Sequence, residues 1–219
     1  MEIVHLSLLG GLLALDGTAV GQFMFSRPLV AGALVGWLLG DTAAGIAVGT
    51  ILELYLLVSF PTGGSRFPEG ATATVVAVAA TVVTDAPGAL PLAVAVGLVW
   101  GQLAGVSVTL MRRLNSRLVP EPGQKHSGAR RIWVLHLAAV LVDFVRGAVV
   151  TLLGVIVGRA VVSGLHGPWA LSPAASLGLL LVGGSVSLGV LLRDLGGFRR
   201  RKTLFVTGLA LGIIGARFL

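Results

Sequence analysis

The stretch from Asp16 to Gly70 constrains the fold more than any other. It reads DGTAVGQFMFSRPLVAGALVGWLLGDTAAGIAVGTILELYLLVSFPTGGSRFPEG. It is apolar enough to lie in a membrane, yet Asp16, Gln22, Arg27, Asp41 and Glu53 interrupt it. Each ionised carboxylate at a bilayer-centred helix position costs about 3 kcal/mol on insertion scales. Groups like these must therefore cap helices, pair, sit at an interface or line a cavity.

The rest of the composition agrees with a membrane solvent. Of the 219 residues 55% are hydrophobic and 11% charged, against about 25% charged in a typical soluble domain. The fold class expected is an all-α polytopic membrane protein: a bundle of transmembrane helices with broken or re-entrant helices in the N-terminal half. We expect one membrane domain over 1–219, made of an N-terminal half (1–111), a basic loop (112–131) and C-terminal helices (132–219). The absence of cysteine excludes disulfides, thiolate metal sites and a thiol nucleophile or carrier.

The net charge of +7 does not point to nucleic acid, because eleven of the sixteen Lys and Arg fall in two short loops. One holds Arg112, Arg113, Arg117, Lys125, Arg130 and Arg131; the other holds Arg193, Arg199, Arg200, Arg201 and Lys202. Short basic loops between apolar segments are the positive-inside signature, so 112–131 and 193–202 are expected in the cytoplasm and the N-terminus outside. Met1 to His5 lack the basic region of a signal peptide, so the first apolar segment is expected to be kept as structure.

The apolar runs have unequal lengths. Residues 3–15 end at Asp16-Gly17-Thr18, 29–40 end at Gly40-Asp41, and 71–84 end at Asp85-Ala86-Pro87-Gly88. All three fall short of the roughly 20 residues a crossing needs. Short helices at membrane depth are tolerated where they are buried in protein or line a wet cavity. Residues 90–111, 132–162 and 174–192 are long enough to cross, and 203–219 make a last short span with Arg217 at the far interface. Trp169 in the 163–173 loop is expected to anchor at the outer surface. Glycines recur every four residues at 32, 36 and 40 and at 97, 101 and 105, the spacing that lets helix backbones approach closely.

Local roles account for several polar residues. Ser26 and Asp41 precede helical runs and are expected to cap them, with Pro28 in a first turn. Glu69, after Pro68, sits at the start of the 71–84 run. Asp143 and Arg146 are three apart, on one helix face, and are expected to pair. Glu53 lies in the middle of TILELYLLVSF, where no cap is available, so it is expected either to touch a solute or to pair with Arg27 or Arg66.

Motifs for catalysis are missing: no HExxH, no GxSxG, no Walker loop, and no metal-ligand spacing among His5, His126, His136 and His166. The Gly63-Gly64 loop lacks the Lys-Ser/Thr of a P-loop. No catalytic residue, metal or cofactor is expected, and any covalent chemistry belongs to another chain.

The run Arg27-Pro28-Leu29-Val30 with Gly36, then Leu39-Gly40-Asp41, Gly45, Gly49 and Leu52-Glu53-Leu54, followed by Gly63-Gly64 and Pro68-Glu69, resembles the membrane IIC component of mannose/fructose/sorbose-class sugar phosphotransferase systems (PTS). His136 and the Arg146 helix match more loosely. The resemblance implies a bacterial inner-membrane permease that, with a IID-type membrane subunit, binds a hexose and presents it to cytoplasmic IIA and IIB phosphocarriers; an oligomer in the lipid bilayer is expected. It places Gln22, Arg27, Asp41, Glu53 and Glu69 at the polar positions of the motif, as candidate substrate-binding residues. A hydroxyl-rich solute needs bidentate acceptors such as carboxylates and amides, so these residue types suit the task. Two other readings are a scaffold or sensor derived from such a permease, and a sugar transporter without coupled phosphorylation.

Overall fold

A computed structural model describes residues 1–57, 66–117, 128–165, 171–194 and 196–215. Gly63-Gly64, Lys125, Trp169 and Arg217, and with them the roles expected of them, lie outside these residues. The described residues fold into helices, with no strand among them: α1 (Glu2–Thr18), α2 (Pro28–Leu39), α3 (Thr42–Leu56), α4 (Gly70–Thr81), α5 (Ala89–Ser116), α6 (Ala129–Leu165), α7 (Pro173–Asp194) and α8 (Lys202–Gly215), with a single 3₁₀ turn at Phe198–Arg200. Three of them, α5, α6 and α7, are long and apolar enough to cross a membrane. Helices α2 and α4 have 12 residues each, about 18 Å at 1.5 Å per residue. They are the broken elements that the short apolar runs predict.

Helix α4 is the centre of the bundle. Its sequence, GATATVVAVAAT, contains no side chain larger than Val, and every residue from Ala71 to Ala80 is buried. The small cross-section lets α1, α2, α3, α5 and α6 all reach it. Gly97 and Gly101 of α5 lie on Ala73 and Ala77, where an added Cβ at Gly97 would come 2.8 Å from the Cβ of Ala77. The outward faces of α6 and α7 keep large apolar side chains such as Leu141, Leu153, Leu181 and Val186 exposed, as lipid-facing helices must.

Helices α2 and α3 form a hairpin held by glycine. Gly32 and Gly36 meet Gly45 and Gly49, backbone against backbone, and a Cβ at Gly36 would lie 2.8 Å from the Cα of Gly45. The third glycine of that row does something else. Gly40 has no atom near its Cβ position and ends α2 in the left-handed conformation, φ 80°. Asp41 then caps α3, its side chain accepting the Ala44 N–H at 2.9 Å, as expected. Ser26 does not cap α2. Arg27 holds that position without a side-chain cap, and the Ser26 N–H donates instead to Asp16 Oδ2 at 2.8 Å.

Helix directions follow from side-chain contacts. Helix α1 runs antiparallel to α6, with Glu2 bonded to Arg159, Ser7 Oγ to the Ala148 carbonyl and Thr18 to Asp143. Helix α5 is also antiparallel to α6: Trp100 Nε1 donates to the Val150 carbonyl at 3.1 Å and Ser107 Oγ accepts from Arg146 at 3.0 Å. Ser176 Oγ donates to the Pro87 carbonyl at 2.7 Å, which starts α7 beside the start of α5. The end of α5, the start of α6 and the end of α7, which flank the two basic loops, thus share one end of the bundle. Glu2 lies at the other.

Candidate functional site

Three chain breaks meet at the middle of the bundle. Helix α1 ends at Thr18, α2 begins at Pro28 and α4 begins at Gly70. The Glu69 N–H donates to the carbonyl of Gly101, midway along α5, at 2.9 Å, which sets the depth. Between these breaks lies a cavity of about 330 Å³, lined by Ala14, Asp16, Gly17, Thr18, Gln22, Met24, Ser26, Arg27, Pro28, Leu56, Phe67, Pro68, Glu69, Gly70 and Ala71. That volume falls within the roughly 300–1,000 Å³ of small-molecule sites. Two helix N-termini, those of α2 and α4, open on it and bring the positive ends of their dipoles.

The wall formed by residues 16–27 is built on Asp16. This carboxylate is buried (7% exposed) and accepts the Phe23 N–H at 2.7 Å and the Ser26 N–H at 2.8 Å. It folds the chain back within ten residues, so Gln22 and Met24 take positive φ, 53° and 69°. Non-glycine residues in that region cost of order 1–3 kcal/mol, and such strain concentrates at ligand sites. Gln22 is exposed and lines the cavity.

Arg27 and Glu53 form a second unit. Arg27 Nε donates to Glu53 Oε1 at 2.8 Å, with Nη2 on the same oxygen, and Glu53 Oε2 accepts the Leu29 N–H at 3.3 Å. Glu53 therefore caps a helix, but it is α2, its neighbour, rather than its own. A reading confined to local caps misses this, because the partner backbone is 24 residues away. Of the two cations considered for Glu53, Arg27 is the one bonded to it in the structure; Arg66 is exposed.

The third unit centres on Arg146. Its guanidinium forks onto Glu69, Nη2 to Oε1 at 2.6 Å and Nη1 to Oε2 at 3.1 Å. Its Nε donates to Asp143 Oδ1 at 2.9 Å, and Thr72 Oγ1 donates to Glu69 Oε2 at 2.5 Å. The pairing of Asp143 with Arg146 follows from their spacing. The extension to Glu69, 77 residues away, does not.

The cavity thus brings together Gln22, Arg27 and Glu69 of the five candidate substrate-binding residues. Glu53 stands behind Arg27, and Asp41 is at the α2–α3 turn, outside the lining. Asp16, Thr18 and Phe67 line the cavity but are not among the five. Asp16 announced itself as an acid in an apolar run; Thr18 and Phe67 gave no signal. His136 is exposed on α6 against Trp133 and does not line the cavity.

Comparison with known proteins gives one consistent answer. Residues 1–190 match the family described as the PTS system sorbose-specific IIC component (EII-Sor). The sorbose-specific EIIC component of Klebsiella pneumoniae is 27% identical over 136 residues, covering 61% of this chain and 50% of that protein. The fructose permease IIC component of Bacillus subtilis (strain 168) is 30% identical over 144 residues, covering 64% and 52%. The mannose-specific EIIC component of Escherichia coli (strain K12) is 38% identical over 60 residues, covering 27% and 23%. The matched regions therefore span about half the length, or less, of these curated relatives. Two solved chains share the fold, each covering 99% of this chain and 92% of its own length. One, described as "Structure of membrane protein", has a TM-score of 0.74 at 20% identity; the other, from the mannose transporter ManYZ in complex with microcin E492, has 0.63 at 21%. This all-α membrane protein with broken helices at its centre belongs to the PTS sorbose-specific IIC component family.

Proposed function

We propose that the chain is the IIC permease subunit of a mannose-class sugar phosphotransferase system, that it binds a hexose in the cavity between α1, α2 and α4, and that partner IIA and IIB proteins phosphorylate the sugar on the cytoplasmic side. The cavity carries this reading: a volume of about 330 Å³ whose lining includes two fixed carboxylates, Asp16 and Glu69, with Arg27 and Gln22. A neutral polyol needs acceptors and donors held at set positions, and it needs no metal or nucleophile from the chain that binds it.

In this reading Gln22, Arg27 and Glu69 contact the sugar. Glu53 acts through Arg27, and Asp41 holds the hairpin that carries both. Residues 1–219 act as one membrane domain, with a IID-type subunit beside it in a bacterial inner membrane. The loops 112–131 and 193–202 face the cytoplasm, a reading supported by the helix ends that flank them, which share one end of the bundle.

The test is reconstitution with the IID-type partner and the soluble phosphocarriers, measuring phosphoenolpyruvate-dependent phosphorylation of mannose, fructose and sorbose. Phosphorylation of at least one of them is expected. Sugar uptake without phosphorylation would mark an uncoupled transporter, and no sugar effect in an assembled complex would mark a scaffold or sensor; either outcome overturns the proposal.

A further inference from the structure

Arg146 and Asp143 do not line the cavity, yet they touch both of its walls. Four of the five guanidinium protons of Arg146 have acceptors: two on Glu69, one on Asp143 and one on Ser107. The other oxygen of Asp143, Oδ2, bonds the hydroxyl of Thr18 at the end of α1. Glu69, the residue before α4, and Thr18, the last residue of α1, both line the cavity. The chain Thr18–Asp143–Arg146–Glu69 therefore runs behind the cavity as a polar strut from one wall to the other.

The strut is rigid for a physical reason. Asp143 is 1% exposed and Glu69 3%, and the side chain of Arg146 is 9% exposed. Water cannot replace these bonds, and a planar guanidinium fork fixes both oxygens of Glu69 at once. A carboxylate has about four acceptor sites; three on Glu69 are taken by Arg146 and Thr72. Glu69 keeps one acceptor direction for a solute, and Arg146 determines where it points.

We infer that Arg146 and Asp143 are positioning residues for solute selectivity: they set the orientation of Glu69 and its separation from Thr18, and so decide which hexose hydroxyl pattern fits. The inference rests on the proposed hexose site. Lysine at 146 would keep the charge but not the fork, releasing Glu69 to turn. The consequence is a change in discrimination between epimers, which a role in folding alone does not produce.

The experiment uses the full chain with its IID-type partner in lipid nanodiscs and measures equilibrium binding of D-mannose and D-glucose, which differ only at C2. Arg146→Lys is expected to change the mannose-to-glucose affinity ratio by about fivefold or more. Asp143→Asn shifts it in the same sense and serves where Arg146→Lys fails to assemble. Arg159→Lys, on the Glu2 pair away from the cavity, leaves the ratio unchanged. Equal loss of both affinities in Arg146→Lys and Asp143→Asn, with the ratio intact, would overturn the inference while sparing the hexose site. Where the unmutated complex binds D-fructose and L-sorbose in place of mannose and glucose, their affinity ratio, which reports on C5, is read in the same way; absence of binding of all four sugars would overturn both.

Discussion

Glu53 of α3 neutralises Arg27 and caps α2 at the same time, with one oxygen on the Arg27 guanidinium and the other on the Leu29 N–H at 3.3 Å. The pair closes the open end of a hairpin whose other end is the Gly40–Asp41 turn. Glu53→Gln removes the charge that serves both bonds, and hydrogen bonds to charged groups are worth about 1.5–3 kcal/mol. The variant is expected to assemble, to melt at a lower temperature and to bind sugar about tenfold more weakly, as Arg27 loses its fixed position. Melting curves with and without sugar separate the two effects; unchanged affinity would make Glu53 a purely structural cap.

The glycine row of α2 makes a prediction of a different kind. At Gly36 a side chain would meet the Asp41 carbonyl at 2.6 Å and the Gly45 Cα at 2.8 Å, both backbone atoms that cannot step aside. Gly36→Val is expected to destabilise the isolated chain by more than about 3 kcal/mol or prevent its folding. Gly208 in α8 has nothing near its Cβ position, and Gly208→Val is expected to stay within about 0.5 kcal/mol. Thermal melts of the two purified variants check the contrast.

Topology can be read on a background without native cysteine. Single cysteines at Ser116 and Lys202, which flank the basic loops, are expected to be shielded from an impermeant thiol reagent in intact cells and to react once the membrane is opened. A cysteine at Glu2 is expected to react from outside. Reversed labelling would invert the orientation while leaving the fold untouched.

Much of this fold was legible because membrane solvent leaves few options. Apolar run lengths separated the spans α5, α6 and α7 from the short α2 and α4, and Gly40-Asp41 marked a helix end and a cap from residue chemistry alone. Asp143 and Arg146 declared their pairing through spacing. The candidate site was less visible wherever partners are far apart in the chain. Ser26 looked like a cap, but the buried Asp16 ten residues earlier takes its N–H instead. The sequence offers Glu53 a solute, Arg27 or Arg66, and nothing local selects Arg27 or shows that the other oxygen caps α2; Glu69 reads as a first-turn acid because nothing local shows that Arg146 approaches it. These are tertiary choices among groups whose local chemistry allows several.

Gln22 offers the most direct test of the cavity as a sugar site. Its φ of 53° suits glycine better than any residue with a side chain, so Gln22→Gly removes the amide while relaxing the backbone. Binding of radiolabelled mannose, fructose or sorbose to the complex in nanodiscs is expected to weaken by about tenfold, with a melting temperature equal to or above that of the unmutated protein. Glu69→Gln, measured beside it, is expected to weaken binding further. Undiminished binding of the transported sugar to both variants would contradict the assignment of this cavity as the site.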